Sequence, residues 1–68
     1  MINTLKIKAR MVELGITQKD LAERINLAQP TVNQKLNNIR PMDLVEAEKI
    51  SEILQINPCE YKEYFFYQ

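Results

Sequence analysis

The stretch from Thr17 to Asn38, TQKDLAERINLAQPTVNQKLNN, constrains the fold of this chain more than any other segment. Its apolar residues recur at helical spacing on either side of Asn26. They are Leu21, Ile25, Leu27, Val32 and Leu36. Asparagine tolerates the left-handed backbone that a tight turn requires, and Ala22 is small enough to let two helices cross closely. The stretch therefore predicts two short helices joined by a tight turn.

Helical signals continue before and after this stretch, and no strand pattern is present. A first helix is predicted from about Thr4 to Leu14, with Gly15 as its C-terminal stop. Within the central stretch, Thr17 caps the second helix, and the third runs from about Gln29 to Asn37. Residues 38–41 form a loop, because the residue before a proline avoids helical geometry.

Two further helices are predicted in the second half. Asp43 and Glu46 form a D-x-x-E cap for the fourth helix. Its buried stripe is predicted to contain Leu44, Ala47, Ile50 and Leu54. A fifth, aromatic helix covers about residues 58–67, with Asn57 as its cap and Pro58 in its first turn. Tyr61 and Phe65 share one face of this helix.

Composition excludes several classes of protein. The chain has 68 residues, one cysteine and no histidine, so it cannot form an internal disulfide and lacks the commonest metal ligand and general base. We therefore predict no catalytic residue, no metal site and no cofactor, and no small-molecule effector is evident. No apolar run suggests a membrane span, and a cytoplasmic protein is expected.

Charge is divided between the two halves, although the net charge is zero. Residues 1–40 carry seven basic and three acidic side chains, a formal charge of +4. Residues 41–68 carry two basic and six acidic side chains, a formal charge of −4. Such a chain can turn a basic surface toward nucleic acid and an acidic one away from it, but ordinary solvated surfaces would show the same pattern.

The outward face of the third helix is rich in amides and free of acids. With Val32 and Leu36 buried, helical geometry turns the opposite face outward. That face contains Gln29, Pro30, Asn33, Gln34 and Asn37. Amide side chains match the donor and acceptor of adenine N6 and N7 in the major groove. We interpret this face as a reader of double-stranded DNA; the alternative is a solvated polar helix.

Two residues outside the third helix are candidate phosphate ligands. Gln18 begins the second helix, where it can meet a phosphate and brace Gln29. Arg40 lies in the loop after the third helix. Each also has a plainer interpretation, Gln18 as a neutral first-turn residue and Arg40 as a solvated cation.

Residues 5–66 resemble the lambdoid repressor and Cro helix-turn-helix family, also called the Xre family. The resemblance rests on Gly15, on T-Q-x-x-L-A from Thr17 to Ala22, and on Q-x-x-V from Gln29 to Val32. The N-N-x-R-P loop and the Leu54-Gln55-Ile56 ending also resemble the family pattern. It implies an all-α fold: a compact five-helix lambda-repressor-like domain spanning residues 1–68, with the helix-turn-helix at about 17–38.

The resemblance also implies roles for individual residues. The positions that face bases in the family are matched by Gln29, Pro30, Asn33 and Gln34. Together with the residue reasoning, the predicted phosphate contacts are Thr17, Gln18, Thr31, Lys35, Asn37 and Arg40. Lys35 stands where the family often has an apolar residue, so its stem is expected to pack while its amine extends toward phosphate. Pro30 removes a side chain that often contacts a base.

Self-association is expected because one small domain contacts few base pairs. A two-fold dimer repeats the recognition helix at about 34 Å, one turn of DNA. The predicted dimer interface consists of Ile56, Pro58, Phe66 and Tyr67. Exposed aromatic clusters usually mark partners, although the same aromatics could merely cap the core.

The function expected from these patterns is sequence-specific regulation of transcription. The chain is expected to be a Cro-like or small phage or mobile-element repressor that binds a palindromic operator as a homodimer. The alternative is an antitoxin or protein-interaction module that uses its C-terminal aromatic helix to hold a partner.

Overall fold

Five α-helices and one 3₁₀ turn make up the computed structural model, which describes residues 1–66. The elements are α1 Thr4–Leu14, α2 Gln18–Ile25, α3 Gln29–Leu36, α4 Leu44–Ile53, the 3₁₀ turn Pro58–Glu60 and α5 Tyr61–Phe65. These residues contain no strand, and none of their helices is long and apolar enough to cross a membrane. The predicted all-α class is confirmed.

Local side-chain chemistry explains where the helices begin. The Thr17 hydroxyl accepts a hydrogen bond from the Asp20 backbone N–H, and the Asp20 carboxylate accepts one from the Thr17 N–H. Asp43 and Glu46 form the same reciprocal capping box at the start of α4. Each box satisfies backbone donors that have no partner within the helix. Both predicted caps are confirmed.

Left-handed residues follow four of the helices. Gly15 follows α1 with φ 67°, Asn26 follows α2 with φ 60°, Asn38 lies just after α3 with φ 62°, and Gln55 lies just after α4 with φ 54°. Asparagine is the side-chain-bearing residue that adopts this conformation most readily. The turn between α2 and α3 therefore has the backbone predicted for Asn26.

The core lies between the five helices, with α2 packed against α3 and α4, and with α1 packed against α5. Its buried apolar residues are Ile2, Ile7, Met11, Leu21, Ala22, Ile25, Val32, Leu36, Ile50, Leu54, Ile56, Tyr64 and Phe65. Ser51 is also buried, and its hydroxyl is satisfied there because it donates to the Ala47 carbonyl at 2.8 Å. The inner faces of α2 and α3 are those predicted from helical periodicity.

The prediction for the start of α4 was wrong at one residue. Leu44 is 65% exposed rather than buried. It is the first residue of α4, where no neighbouring helix covers it, and it lines an open groove with Met42 and Phe66. Ser51 takes the buried position on that side of the helix.

The aromatic segment also differs from its prediction. Residues 58–60 form a 3₁₀ turn, and α5 covers only Tyr61–Phe65 rather than a continuous helix over 58–67. Tyr64 and Phe65 are buried, whereas Tyr61 is half-buried and packs edge-on against the Phe65 ring at 5.9 Å. Tyr61 therefore supports the core from its edge.

The N-terminus is fastened to the end of α3 by a side chain. The Asn38 Oδ1 accepts from the Ile2 N–H at 2.8 Å, and its Nδ2 donates to the Ile2 carbonyl at 3.0 Å. The amide thus bonds to Ile2 as a neighbouring backbone would. This contact places the start of the chain beside the loop that follows α3.

Candidate nucleic-acid interface

The polar face of α3 lies opposite its buried residues Val32 and Leu36. We define the recognition face by the α3 residues Gln29, Pro30, Thr31, Asn33 and Gln34 together with Asn37, the residue after α3. Gln29, Pro30 and Asn33 are exposed, and Thr31, Gln34 and Asn37 are half-buried at its margins. The structure therefore brings together the residues predicted to contact bases.

A chain of amide hydrogen bonds fixes part of this face. Asn33 Nδ2 donates to Gln18 Oε1 at 3.0 Å, and Asn37 Nδ2 donates to the Asn33 carbonyl at 2.8 Å. Gln18 thus braces Asn33, not Gln29 as the sequence had predicted. Asn33 Oδ1 also accepts from Asn37 Nδ2 at 3.3 Å. Because Gln18 and Asn37 together hold the Asn33 side-chain amide, its remaining N–H is held in a defined direction before any ligand binds.

The two glutamines of the recognition face are available for a partner. Within residues 1–66, the side-chain amides of Gln29 and Gln34 make none of the observed hydrogen bonds. Each can offer a donor and an acceptor side by side, the pattern that matches adenine in the major groove. The face therefore combines one braced amide with two unoccupied ones.

Lys8 joins the recognition face from α1, which the sequence did not predict. Its exposed ammonium lies 3.5 Å from Asn37 Oδ1. Helical periodicity places Lys8 outside the core, but only the packing of α1 beside the end of α3 shows which surface it shares. It forms no ion pair with any described residue, so its charge remains available to a phosphate.

Several cations of the first half are already engaged. Lys6 Nζ lies 2.6 Å from Glu63 Oε2, and this hydrogen bond raises the pKa of Lys6. Arg10 donates to the Leu54 carbonyl at 2.9 Å and so supports the end of α4. The basic residues of 1–40 that form no ion pair in the described chain are Lys8, Lys19, Arg24 and Arg40. The positive surface is therefore smaller than the residue count indicated.

Two predicted phosphate contacts are committed to other partners. The Lys35 ammonium is paired with Glu46 of α4, and each side chain is only 15% exposed. Its amine therefore does not extend freely toward a phosphate, which corrects the expectation from sequence. The Thr17 hydroxyl and N–H are both used in the α2 capping box, so neither group is free for a phosphate.

Arg40 is held close to the recognition helix by its backbone. The Gln34 carbonyl accepts from the Ile39 N–H at 2.8 Å and from the Arg40 N–H at 3.3 Å. This folds the loop back onto the last turn of α3 and leaves the Arg40 side chain exposed. The placement suits the phosphate contact predicted for Arg40.

The residues predicted for a dimer interface separate into different environments. Ile56 is 6% exposed and belongs to the core, so it has no surface to offer another subunit, and its assignment is corrected. Pro58 and Phe66 are exposed. Tyr67 lies outside the described residues.

Phe66 borders an apolar groove that the sequence did not predict. The groove has a volume of about 470 Å³, and a smaller hollow of about 130 Å³ shares Met42 and Phe66 with it. We define the apolar groove by the exposed or half-buried apolar side chains of Met1, Ile39, Met42, Leu44 and Phe66. Its residues come from both chain ends and from the loop after α3, and for this reason no local pattern reveals it.

A short helix held against a second helix, with an acid-free amide face turned outward, defines a helix-turn-helix DNA-binding module. The helix-turn-helix family model matches residues 7–61, and the chain belongs to this family, of the Xre and Cro type. It is thus a DNA-binding regulator of transcription, and this family is generally non-enzymatic. No curated protein and no solved structure matches the chain significantly.

Proposed function

We propose that this protein is a Cro-like or small phage or mobile-element repressor that recognises a specific operator with α3. The observation that carries the proposal is the acid-free recognition face, with Asn33 braced by Gln18 and with Gln29 and Gln34 unoccupied. Preorganised amides lose little freedom when they bind base edges, which favours one sequence over others. Occupation of the operator would then block polymerase.

Phosphate contacts would fix the register of α3 in the groove. Lys8 and Arg40 carry unpaired charges at the same end of the recognition helix. Gln18 keeps its amide N–H donors while its oxygen accepts from Asn33. Contacts of this kind position a protein on DNA, whereas base contacts supply the sequence preference.

Selection of binding sites from random duplex DNA tests this proposal, with Gln34→Ala and Arg40→Ala as a matched pair. Gln34→Ala should weaken operator binding by about 1–3 kcal/mol and relax the preference at one base pair. Arg40→Ala should weaken all sequences alike and make the salt dependence shallower by about one released ion. Equal losses for Gln34→Ala on operator and random DNA would refute base recognition by this residue.

A homodimer on a palindromic operator is the second part of the proposal. The Cα atoms of one subunit extend only 27 × 24 × 20 Å, less than the roughly 34 Å between successive major-groove faces. One copy therefore cannot contact two such faces. The apolar groove lies beside the loop after α3, and a second copy of the chain that packed there would cover the exposed side chains of Ile39 and Phe66.

Sedimentation together with operator titration tests the dimer. Ile39→Ser and Phe66→Ser should weaken self-association and abolish cooperative occupancy while leaving half-site binding intact. Val12→Ser is the matched control, because Val12 is 81% exposed on α1 and lies outside the groove. Unchanged cooperativity in both groove variants would exclude the groove as the dimer contact.

The apolar groove also supports a second function, a protein-interaction module such as an antitoxin. Large exposed apolar patches usually mark protein partners. This function takes the lead if no duplex is selected from random DNA while the groove variants lose binding to a protein encoded by an adjacent gene.

A further inference from the structure

The cation in the last turn of the recognition helix forms an ion pair with a carboxylate from outside the helix-turn-helix. Lys35 lies in the last turn of α3, and its ammonium pairs with Glu46 in the first turn of α4. Both side chains are 15% exposed, so solvent screens the pair less than it screens a fully exposed one. The pair links the end of the recognition helix to the start of the next.

Glu46 is itself fixed and cannot follow Lys35 toward a ligand. Its Oε1 accepts from the Asp43 N–H at 3.0 Å, while its backbone N–H donates to Asp43 Oδ1 at 2.8 Å. One carboxylate oxygen therefore caps α4 and the other holds Lys35. A swing of Lys35 toward DNA would have to leave behind a partly buried, unpaired carboxylate, which is costly.

We propose that Glu46 is a specificity-determining residue that withholds Lys35 from the DNA backbone. The inference rests on the proposed function. With Lys35 neutralised, α3 contributes amides and the Thr31 hydroxyl to this surface but no free cation, and the unpaired charge beside it is that of Lys8 from α1. Binding to arbitrary sequences is carried by phosphate contacts, so removing one such contact lowers non-specific affinity more than it lowers base recognition.

The position of Lys35 on α3 shows that it could reach DNA if released. It follows Thr31 by one helical turn, and Thr31 lies at the margin of the recognition face. A lysine stem is long enough for its amine to extend from such a margin to a phosphate. The ion pair with Glu46 therefore makes this margin of the recognition face neutral, and loss of the pair would make it positive.

The experiment measures affinity for operator and for random duplex over a range of salt concentrations in four variants. Glu46→Gln keeps an oxygen for the Asp43 cap but removes the charge that holds Lys35. Glu48→Gln is the control, because it removes the same charge from an exposed position on α4. Lys35→Met is made alone and together with Glu46→Gln, and circular dichroism verifies that each variant is folded.

Glu46→Gln should bind random duplex about three- to tenfold more tightly at low salt, with a log–log salt slope steeper by about one. The ratio of operator to random affinity should fall, and Glu48→Gln should change the slope less. Lys35→Met should leave the wild-type slope unchanged but abolish the steeper slope of Glu46→Gln. If Lys35→Met alone makes the wild-type slope shallower by one, Lys35 already contacts phosphate and the inference is wrong.

The same titrations separate this inference from the proposed function. Tighter binding of random duplex by Glu46→Gln than by the wild type, without any preferred operator for either form, would uphold the withholding of Lys35 by Glu46 and refute sequence-specific recognition. Operator binding by the wild type with identical slopes for Glu46→Gln and Glu48→Gln would do the reverse. If neither form binds duplex DNA, both are refuted.

Discussion

The recognition face and the apolar groove meet at the loop after α3, yet different forces shape them. The recognition face is organised by directional side-chain bonds among Gln18, Asn33 and Asn37. In the groove, Ile39 and Phe66 are 69% and 60% exposed and have no polar side-chain atom to orient them. The side chains of the recognition face are oriented before binding, whereas those of the apolar groove would be ordered only by a partner that covers them.

This difference assigns a separate task to each surface. Hydrogen-bond geometry distinguishes one base edge from another, whereas apolar contact contributes free energy in proportion to buried area with little regard to orientation. None of the large exposed apolar side chains lies on α3 among the described residues. Under the proposed function, specificity and association depend on different residues of one small domain and can be altered separately.

Truncating a core side chain of the recognition helix should have the largest effect. Leu36 is fully buried on the inner face of α3. Leu36→Ala should lower the free energy of unfolding by about 2–5 kcal/mol, because it removes buried apolar volume and leaves a cavity. Denaturant titration followed by circular dichroism measures the loss.

Leu5→Ala is the matched control for Leu36→Ala, since Leu5 is also helical but 82% exposed. It should change the unfolding free energy by less than about 0.5 kcal/mol. Similar losses for the two variants would show that Leu36 is not the support of the recognition helix.

The next largest loss of stability is expected from removing the Asn38 side chain, which joins the start of the chain to the loop after α3. Asn38→Ala removes both hydrogen bonds to Ile2 and places alanine at a φ of 62°, so it should cost about 1–3 kcal/mol. Asn38→Gly removes the same bonds but tolerates the backbone, so the difference between the two variants isolates the strain. Thermal unfolding of both variants measures this difference. Equal losses of stability would assign the whole effect to the two hydrogen bonds with Ile2.

A substitution of Lys8 tests whether the DNA contact extends from the recognition face to α1. Lys8→Met should make the salt slope of operator binding shallower by about one, because it removes one cation beside Asn37. Lys49→Met is the control on α4, where an exposed lysine is separated from the recognition face. Equal slopes for both variants would remove Lys8 from the DNA contact.

Local patterns predicted α1 to α4, the capping boxes and the inner faces of α2 and α3, because each depends on residues within one or two turns. They failed where a distant element decides the outcome. Ile56 is buried because separate helices enclose it, and Lys35 is neutralised by a carboxylate eleven residues away. Lys8 shares a surface with Asn37 only through tertiary packing. The base-contact and phosphate roles of the site residues remain predictions.

The smallest change in stability is expected from the capping box at the start of α2, the first helix of the helix-turn-helix. Hydrogen bonds from the Thr17 backbone N–H and then from its hydroxyl hold the pKa of Asp20 below the usual 3.8. A lowered pKa means that the charged form favours the folded state, so its contribution is complete above pH 3.8 and is lost as the pH falls through the lowered value. The melting temperature of the wild type should therefore exceed that of Asp20→Asn at neutral pH, and the gap should narrow below pH 3.8.

Glu23→Gln, which removes an exposed carboxylate of α2 outside the capping box, controls for the loss of one charge. A gap between wild type and Asp20→Asn that is constant from pH 7 to pH 2 would show that the carboxylate charge does not contribute to the cap.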